Sequence, residues 1–167
     1  MTSPVIAGSA AARLEDCLAR LSDPDLEGAT VFSQVFEDES RLAAAAADLR
    51  AERGSSLGPL DGHVVSFKNL FDLAGQVTTP GSAIMRGRRA ARQDATAVAR
   101  LRAAGAVILG KTHMTEFAFS GIGLNPHDGN PGNPRDRSRI PGGSSSGAVI
   151  SVVDGMAEIG IGSDTGG

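Results

Sequence analysis

Gly142-Gly143-Ser144-Ser145-Ser146-Gly147-Ala148-Val149-Ile150-Ser151-Val152-Val153, then Ala157-Glu158-Ile159-Gly160-Ile161-Gly162, then Ser163-Asp164-Thr165-Gly166-Gly167, is the stretch that decides the fold class. Its small and apolar residues predict a helix over about Ser146 to Val153, and the apolar run Ala157 to Gly162 predicts a strand. A glycine-rich loop opens this helix and a glycine-rich turn closes the strand. The same unit stands upstream: a helix from about Ala95 to Ala104, with Asp94 as its amino-terminal cap and Gly105 as its carboxyl-terminal cap, leads into a short strand, Ala106 to Leu109. A third strand, His63 to Phe67, ends at Lys68. Strands alternating with helices predict an α/β protein with a layered sheet covered by helices.

Further toward the amino terminus, Leu14, Cys17, Leu18 and Leu21 fall at helical spacing within Ala10 to Leu21, and Pro24 follows as a stop. Leu42, Leu49 and an alanine run predict a second helix from about Phe36 to Arg53, capped by Gly54. Nothing in these residues carries chemistry, so 1–60 reads as a helical wrapping segment. The turn-rich Gly58-Pro59-Leu60-Asp61-Gly62 marks its junction with residues 61–167. Thr115 to Ser120 predicts a brief helix, and Gly121 to Gly143 is loop.

The 167 residues carry a net charge of −3, 22 glycines and no Trp or Tyr. An acidic balance gives no footprint for nucleic acid, and the run Arg86, Arg88, Arg89, Arg92 reads as a solvated face. No apolar run reaches membrane-spanning length and no signal-peptide pattern opens the chain, so no membrane contact is expected and the location is expected to be cytoplasmic. Cys17, the one cysteine, reads as a small core residue. His63, His113 and His127 are too far apart in sequence to suggest a metal site, and no metal or cofactor is expected.

Two motif matches lose their context. Gly105 to Thr112 fits the phosphate-loop pattern, yet a helix precedes it and its middle residues form a strand, whereas that loop needs the reverse. Gly143-Ser144-Ser145-Ser146-Gly147 fits the nucleophile-elbow pattern, yet all three histidines precede it, where that fold places its histidine afterwards.

Three segments remain: Val65-Ser66-Phe67-Lys68, Gly142 to Gly147, and Gly162 to Gly167. Singly, each has a plain reading: a snorkelling lysine, a loop entering a helix, a glycine-rich turn. The last could equally form an anion-binding nest of backbone N–H groups. Together and in this order they resemble the amidase-signature family, which carries a lysine after a strand, a G-G-S-S-[GS]-G loop and a G-[ST]-D-x-G-G-S segment. The resemblance runs from about Gly58 onward and includes Gly110-Lys111-Thr112 with Thr115-Glu116-Phe117.

This resemblance implies the amidase-signature fold, with 61–167 as the amino-terminal portion of its catalytic domain, and a Ser–Ser–Lys triad. Lys68 matches the base. Ser144 matches the bridging serine, after a cis bond from Gly143, with Ser145 and Asp164 in support. Thr165, Gly166 and Gly167 match the oxyanion donors. The attacking serine is the residue that would follow Gly167, so the chain reads as an inactive fragment of a C–N hydrolase. Where the family has Asp after the lysine, this chain has Asn69, and Asp72 reads as structural. The implied partner is a small-molecule amide, with room for a homodimer of the full-length protein. The alternative is the A subunit of a glutamyl-tRNA(Gln) amidotransferase, although Gly121-Ile122-Gly123-Leu124-Asn125-Pro126 resembles stand-alone amidases more.

Overall fold

A computed structural model describes residues 8–166. The elements in chain order are α1 (Ala10–Leu21), α2 (Gly28–Val31), β1 (Phe32–Val35), α3 (Glu37–Glu52), β2 (Val64–Lys68), α4 (Thr96–Ala103), β3 (Val107–Thr112), α5 (Ser146–Val153) and β4 (Ile159–Ile161). The sheet has the order β1-β3-β2-β4, with β2 parallel to both its neighbours and β1 antiparallel to β3. This is a mixed sheet with helices packed on it.

Alternation along the two inner strands divides the core. Val64, Val107 and Leu109 pack with Leu14, Cys17 and Leu18 of α1 and Ile150 of α5. Val65, Phe67 and Ile108 pack with Leu73, Val98 and Phe36 in a second cluster. Every residue of β2 and β3 is buried, including Lys68 and Lys111. Residues on such strands are surrounded on both faces, which fits the apolar stretches Val64-Val65 and Val107-Ile108-Leu109.

Helix α1 begins where Ser9 Oγ accepts the Ala12 N–H at 3.1 Å, and the Asp48 carboxylate of α3 takes the Ala10 and Ala11 N–H groups. One carboxylate thus satisfies two donors that an α-helix start leaves open. Helix α3 packs through Ser40, Ala44 and Ala47, not through its leucines: Leu42 is 73% exposed and Leu49 51%. The small alanine face permits close approach to α1 and β3, and Ser40 Oγ donates to the Ile108 carbonyl at 2.9 Å.

Several local expectations shift. Asp94 does not cap α4: its carboxylate takes the Ala74 N–H at 2.8 Å and pairs with Arg102, and Ala95 precedes the helix without a side-chain cap. Residues 115–120 form no α-helix but a single 3-10 turn, Glu116–Ala118, in which Phe117 (φ 49°) and Ala118 (φ 57°) adopt left-handed backbone. Helix α2 and strand β1 had no counterpart in the sequence reading. They bring residues before position 60 into the sheet itself, where Gln34 faces Lys111 and Val35 faces Gly110.

Gly147 shows how tightly α5 sits. A Cβ there would lie 2.5 Å from the Val31 carbonyl oxygen and 2.7–2.8 Å from the His113 backbone. Backbone cannot swing aside as a flexible side chain can. Gly147→Ala is therefore expected to cost about 3 kcal/mol, read as a fall in Tm on the order of 10 °C. A melt within a degree or two of wild type would contradict this packing.

Candidate active site

Lys68 is the last residue of β2 and is fully buried. Its Nζ lies 2.6 Å from Ser144 Oγ, 3.1 Å from Ser163 Oγ and 3.2 Å from the Ser163 carbonyl oxygen. Burial pushes its pKa below the ordinary lysine value, with the negative charge of Asp164 opposing that push. A neutral amine in this position has two N–H groups for Ser163 and one lone pair for the Ser144 hydroxyl. The same geometry thus suits a base that receives a proton from Ser144.

The loop before α5 places Ser144. The Thr115 N–H donates to the Ser144 carbonyl at 3.1 Å, and the Gly143 N–H donates to Gly121 at 2.8 Å. The Gly143–Ser144 peptide bond is cis. Gly143 has no room for a side chain, since a Cβ would lie 2.8 Å from Gly123 Cα and 3.0 Å from Thr115 Oγ1. Ser145 closes the other side: its Oγ accepts the Ser163 N–H and donates to the Ser163 carbonyl, both at 3.2 Å. The loop before α5 and the end of β4 are thereby stitched together.

Beyond β4, Asp164 Oδ1 accepts the Gly166 N–H at 3.0 Å, and Thr165 and Gly166 are exposed. A cleft of about 520 Å³ is lined by Ser144, Ser145, Ser163, Thr165 and Gly166, with exposed Phe119 at its side. Lys68 communicates with this cleft through the serine hydroxyls. The structure therefore brings together Lys68, Gly143, Ser144, Ser145, Asp164, Thr165 and Gly166, while Gly167 lies outside the described residues.

Ser163 is the residue that sequence reasoning missed. It sits in the Gly162-Ser163-Asp164 segment, but the glycines drew the reading toward backbone donors and away from its hydroxyl. Its placement needs the pairing of β4 with β2, Val65 to Ile159 and Phe67 to Ile161, which no local pattern reveals.

Other polar groups find separate uses. Asn69, next to Lys68, donates to Thr79 Oγ1 at 2.7 Å, and Asp72 accepts from Thr78 Oγ1 at 2.6 Å. Lys111 and Thr112 of the phosphate-loop match lie within β3. The Lys111 amine donates to the Val77 carbonyl at 3.1 Å, and burial pushes its pKa down to about 8. Among the described residues no group of three His, Cys, Asp or Glu could hold a metal ion, and no helix is long and apolar enough to cross a membrane.

Residues 14–167 match the family model named Amidase. The A subunit of the glutamyl-tRNA(Gln) amidotransferase of Anaeromyxobacter dehalogenans is 46% identical over 92% of this chain and 31% of its own. AtzE of Pseudomonas sp. (strain ADP), which belongs to a 1-carboxybiuret hydrolase as one of its subunits, is 45% identical over 78% of this chain and 28% of its own. Among solved structures, the native peptide amidase from Stenotrophomonas maltophilia superposes with a TM-score of 0.79 at 31% identity, covering 90% of this chain and 32% of that one. The chain thus spans about a third of the length of the relatives it matches.

Proposed function

Because this chain belongs to the amidase-signature family, we propose that the protein cleaves carboxylic amides through a Ser–Ser–Lys triad, with Lys68 as base and Ser144 as relay. The observation that carries this reading is the 2.6 Å contact between a fully buried Lys68 amine and the Ser144 hydroxyl at the edge of an open cleft.

In this reading a serine following Gly167 attacks the amide carbonyl. A hydroxyl is a poor nucleophile until a base takes its proton. Ser144 takes that proton while passing its own to neutral Lys68, which Ser163 holds in place. The carbonyl oxygen becomes an oxyanion, met by the backbone N–H groups at Thr165, Gly166 and Gly167; for Gly166 this means exchanging the Asp164 carboxylate for substrate. Each such donor is worth roughly 3 kcal/mol of barrier. The tetrahedral species expels the amine, which leaves with the proton returned from Lys68 through Ser144, and an acyl-serine ester remains. Water then adds by the same relay, releasing the carboxylic acid and restoring the serine.

In this reading residues 1–167 supply the base, the relay and the oxyanion donors. Two relatives work as parts of larger enzymes, one in an amidotransferase and one in a hydrolase, and they favour a second reading in which the complete protein needs a partner chain. In that second reading the ammonia released from the amide is passed onward instead of lost.

The acyl-enzyme is the step to test. With the complete protein and a panel of primary amides, hydroxylamine is expected to divert the acyl group to a hydroxamate at the expense of free acid. Residues 1–167 alone are expected to give neither product. Acid release with no hydroxamate at any hydroxylamine concentration would sink the covalent reading, and glutamine turnover only with partner proteins present would select the amidotransferase.

A further inference from the structure

Phe117 (φ 49°) and Ala118 (φ 57°) are consecutive non-glycine residues with left-handed backbone. Such a pair persists only where its surroundings hold it. It stands at the rim of the cleft at Ser144, whose lining includes Ala118, Phe119 and Ser120. The hold comes from one segment. The Phe117 N–H donates to the Pro80 carbonyl at 2.9 Å, and the buried Ser82 Oγ donates to Glu116 Oε1 at 2.6 Å. Between them Gly81 is pinned by Asn125, whose Nδ2 donates to the Gly81 and Met114 carbonyls at 2.7 and 2.8 Å.

Residues 77–82 belong to no helix or strand, so their backbone groups have no ladder and need other partners. Side chains from the ends of the two inner strands fasten them to the sheet. Asn69, just past β2, donates to Thr79 Oγ1 at 2.7 Å. Lys111 of β3 is 1% exposed; its Nζ donates to the Val77 carbonyl at 3.1 Å and lies 3.5 Å from Thr78 Oγ1. Burying an amine is unfavourable beside an apolar side chain of like volume. Lys111 has no part in the proton path of Lys68 and Ser144, so what its amine contributes is this grip on the Val77 carbonyl.

We propose that Lys111 is a positioning residue for substrate binding: its amine ties 77–82 to the sheet, and 77–82 fixes the rim at 116–119 in the shape that receives the larger part of an amide substrate. The inference rests on the reading of Lys68 and Ser144 as amide-cleaving machinery. The rim region meets that machinery through main chain, Thr115 to Ser144 and Gly143 to Gly121, whereas Lys68 and the serine hydroxyls meet directly. The effect of Lys111 therefore falls on KM more than on kcat.

The test compares the complete protein with its Lys111→Met and Ser82→Ala variants; the second cuts the same route downstream and removes a single oxygen. Acetamide and phenylacetamide are the substrates, the first small enough to sit at the serines without reaching Phe119. Lys111→Met is expected to raise KM for phenylacetamide about tenfold. KM for acetamide and both kcat values should stay within about threefold of wild type. In hydrogen exchange read by mass spectrometry, peptides covering 77–82 and 114–121 should exchange about tenfold faster, with α1 unchanged. Ser82→Ala should act in the same direction at 114–121, and the double variant should be no worse than the larger single one. The proposal is overturned if exchange at 114–121 is unchanged in both variants, if the two amides lose equally, or if kcat falls with KM untouched. Losses that multiply in the double variant overturn it as well. A wild-type enzyme that cleaves neither amide would count against the catalytic reading, while the exchange measurement still tells whether Lys111 holds the rim.

Discussion

Lys68→Met in the complete protein is expected to lower kcat/KM toward amides by about 10⁴ or more, with the fold intact. Methionine keeps most of the lysine volume inside β2 and removes the amine that takes the proton. Pairing the substitution with a melt separates chemistry from collapse. Desolvation holds the folded-state pKa of Lys68 below its ordinary value, so the unfolded chain binds that proton more tightly than the folded one. Folding stability from this group therefore rises with pH between the folded pKa and the ordinary value near 10.4, and it is lowest below both. In Lys68→Met that pH-dependent part vanishes, and at neutral pH the Tm is expected to match or exceed wild type. Activity follows the same proton. In wild type, log kcat/KM climbs with pH as Lys68 loses its proton and levels off above its folded pKa, which burial holds below the ordinary lysine value. A Lys68→Met enzyme with wild-type kcat/KM would remove the base from the reading.

The second large effect is expected at Ser144. Ser144→Ala deletes one oxygen and leaves the main chain anchored, because the Thr115 contact is made to the Ser144 carbonyl and not to its side chain. The Lys68 amine then has no hydroxyl between it and an attacker. A loss of about 10³–10⁴ in kcat is expected, with KM changed far less, since Ser144 acts on the proton and not on the acyl group. Groups that work as one relay do not add. The double variant Lys68→Met/Ser144→Ala is thus expected to be about as slow as the worse single variant. Multiplying losses in the double variant would show two independent roles and disprove a shared proton path.

Both expectations concern residues that local sequence marks well. The short apolar run ending at Lys68 and the paired glycines before Ser144 are local signals, since a buried strand needs apolar side chains and a crowded turn needs a residue without Cβ. Gly143 illustrates the second point, having backbone on one side and Thr115 Oγ1 on the other. The layered α/β class was legible for the same reason, because alternating helix and strand patterns are properties of short windows.

What escaped the sequence depends on distant partners. Phe32–Val35 is too short and too mixed to announce a strand, and it becomes one because β3 offers an open edge for antiparallel pairing. Asp94 has the chemistry of a cap but is drawn away by the Ala74 N–H and Arg102. Leu42, Leu49 and the alanine run marked the helix without telling which face is buried, and the close approach of α1 selects Ala44 and Ala47. The 115–120 segment lost its expected helix to the left-handed backbone at Phe117 and Ala118. Ser163 reached Lys68 only through the registration of β4 on β2.

Glu158 ties several of these threads. Just ahead of β4, its carboxylate holds Arg13 of α1 at 2.9 Å and the Val64 N–H that begins β2 at 2.7 Å, with His63 Nδ1 3.3 Å away. Shortening the protein from its amino end into α1 would strip this acid of its guanidinium counter-ion beneath the very strand that ends at Lys68. The cut would then be felt as slack at the far end of that strand, so an enzyme trimmed at its front should lose speed before it loses shape.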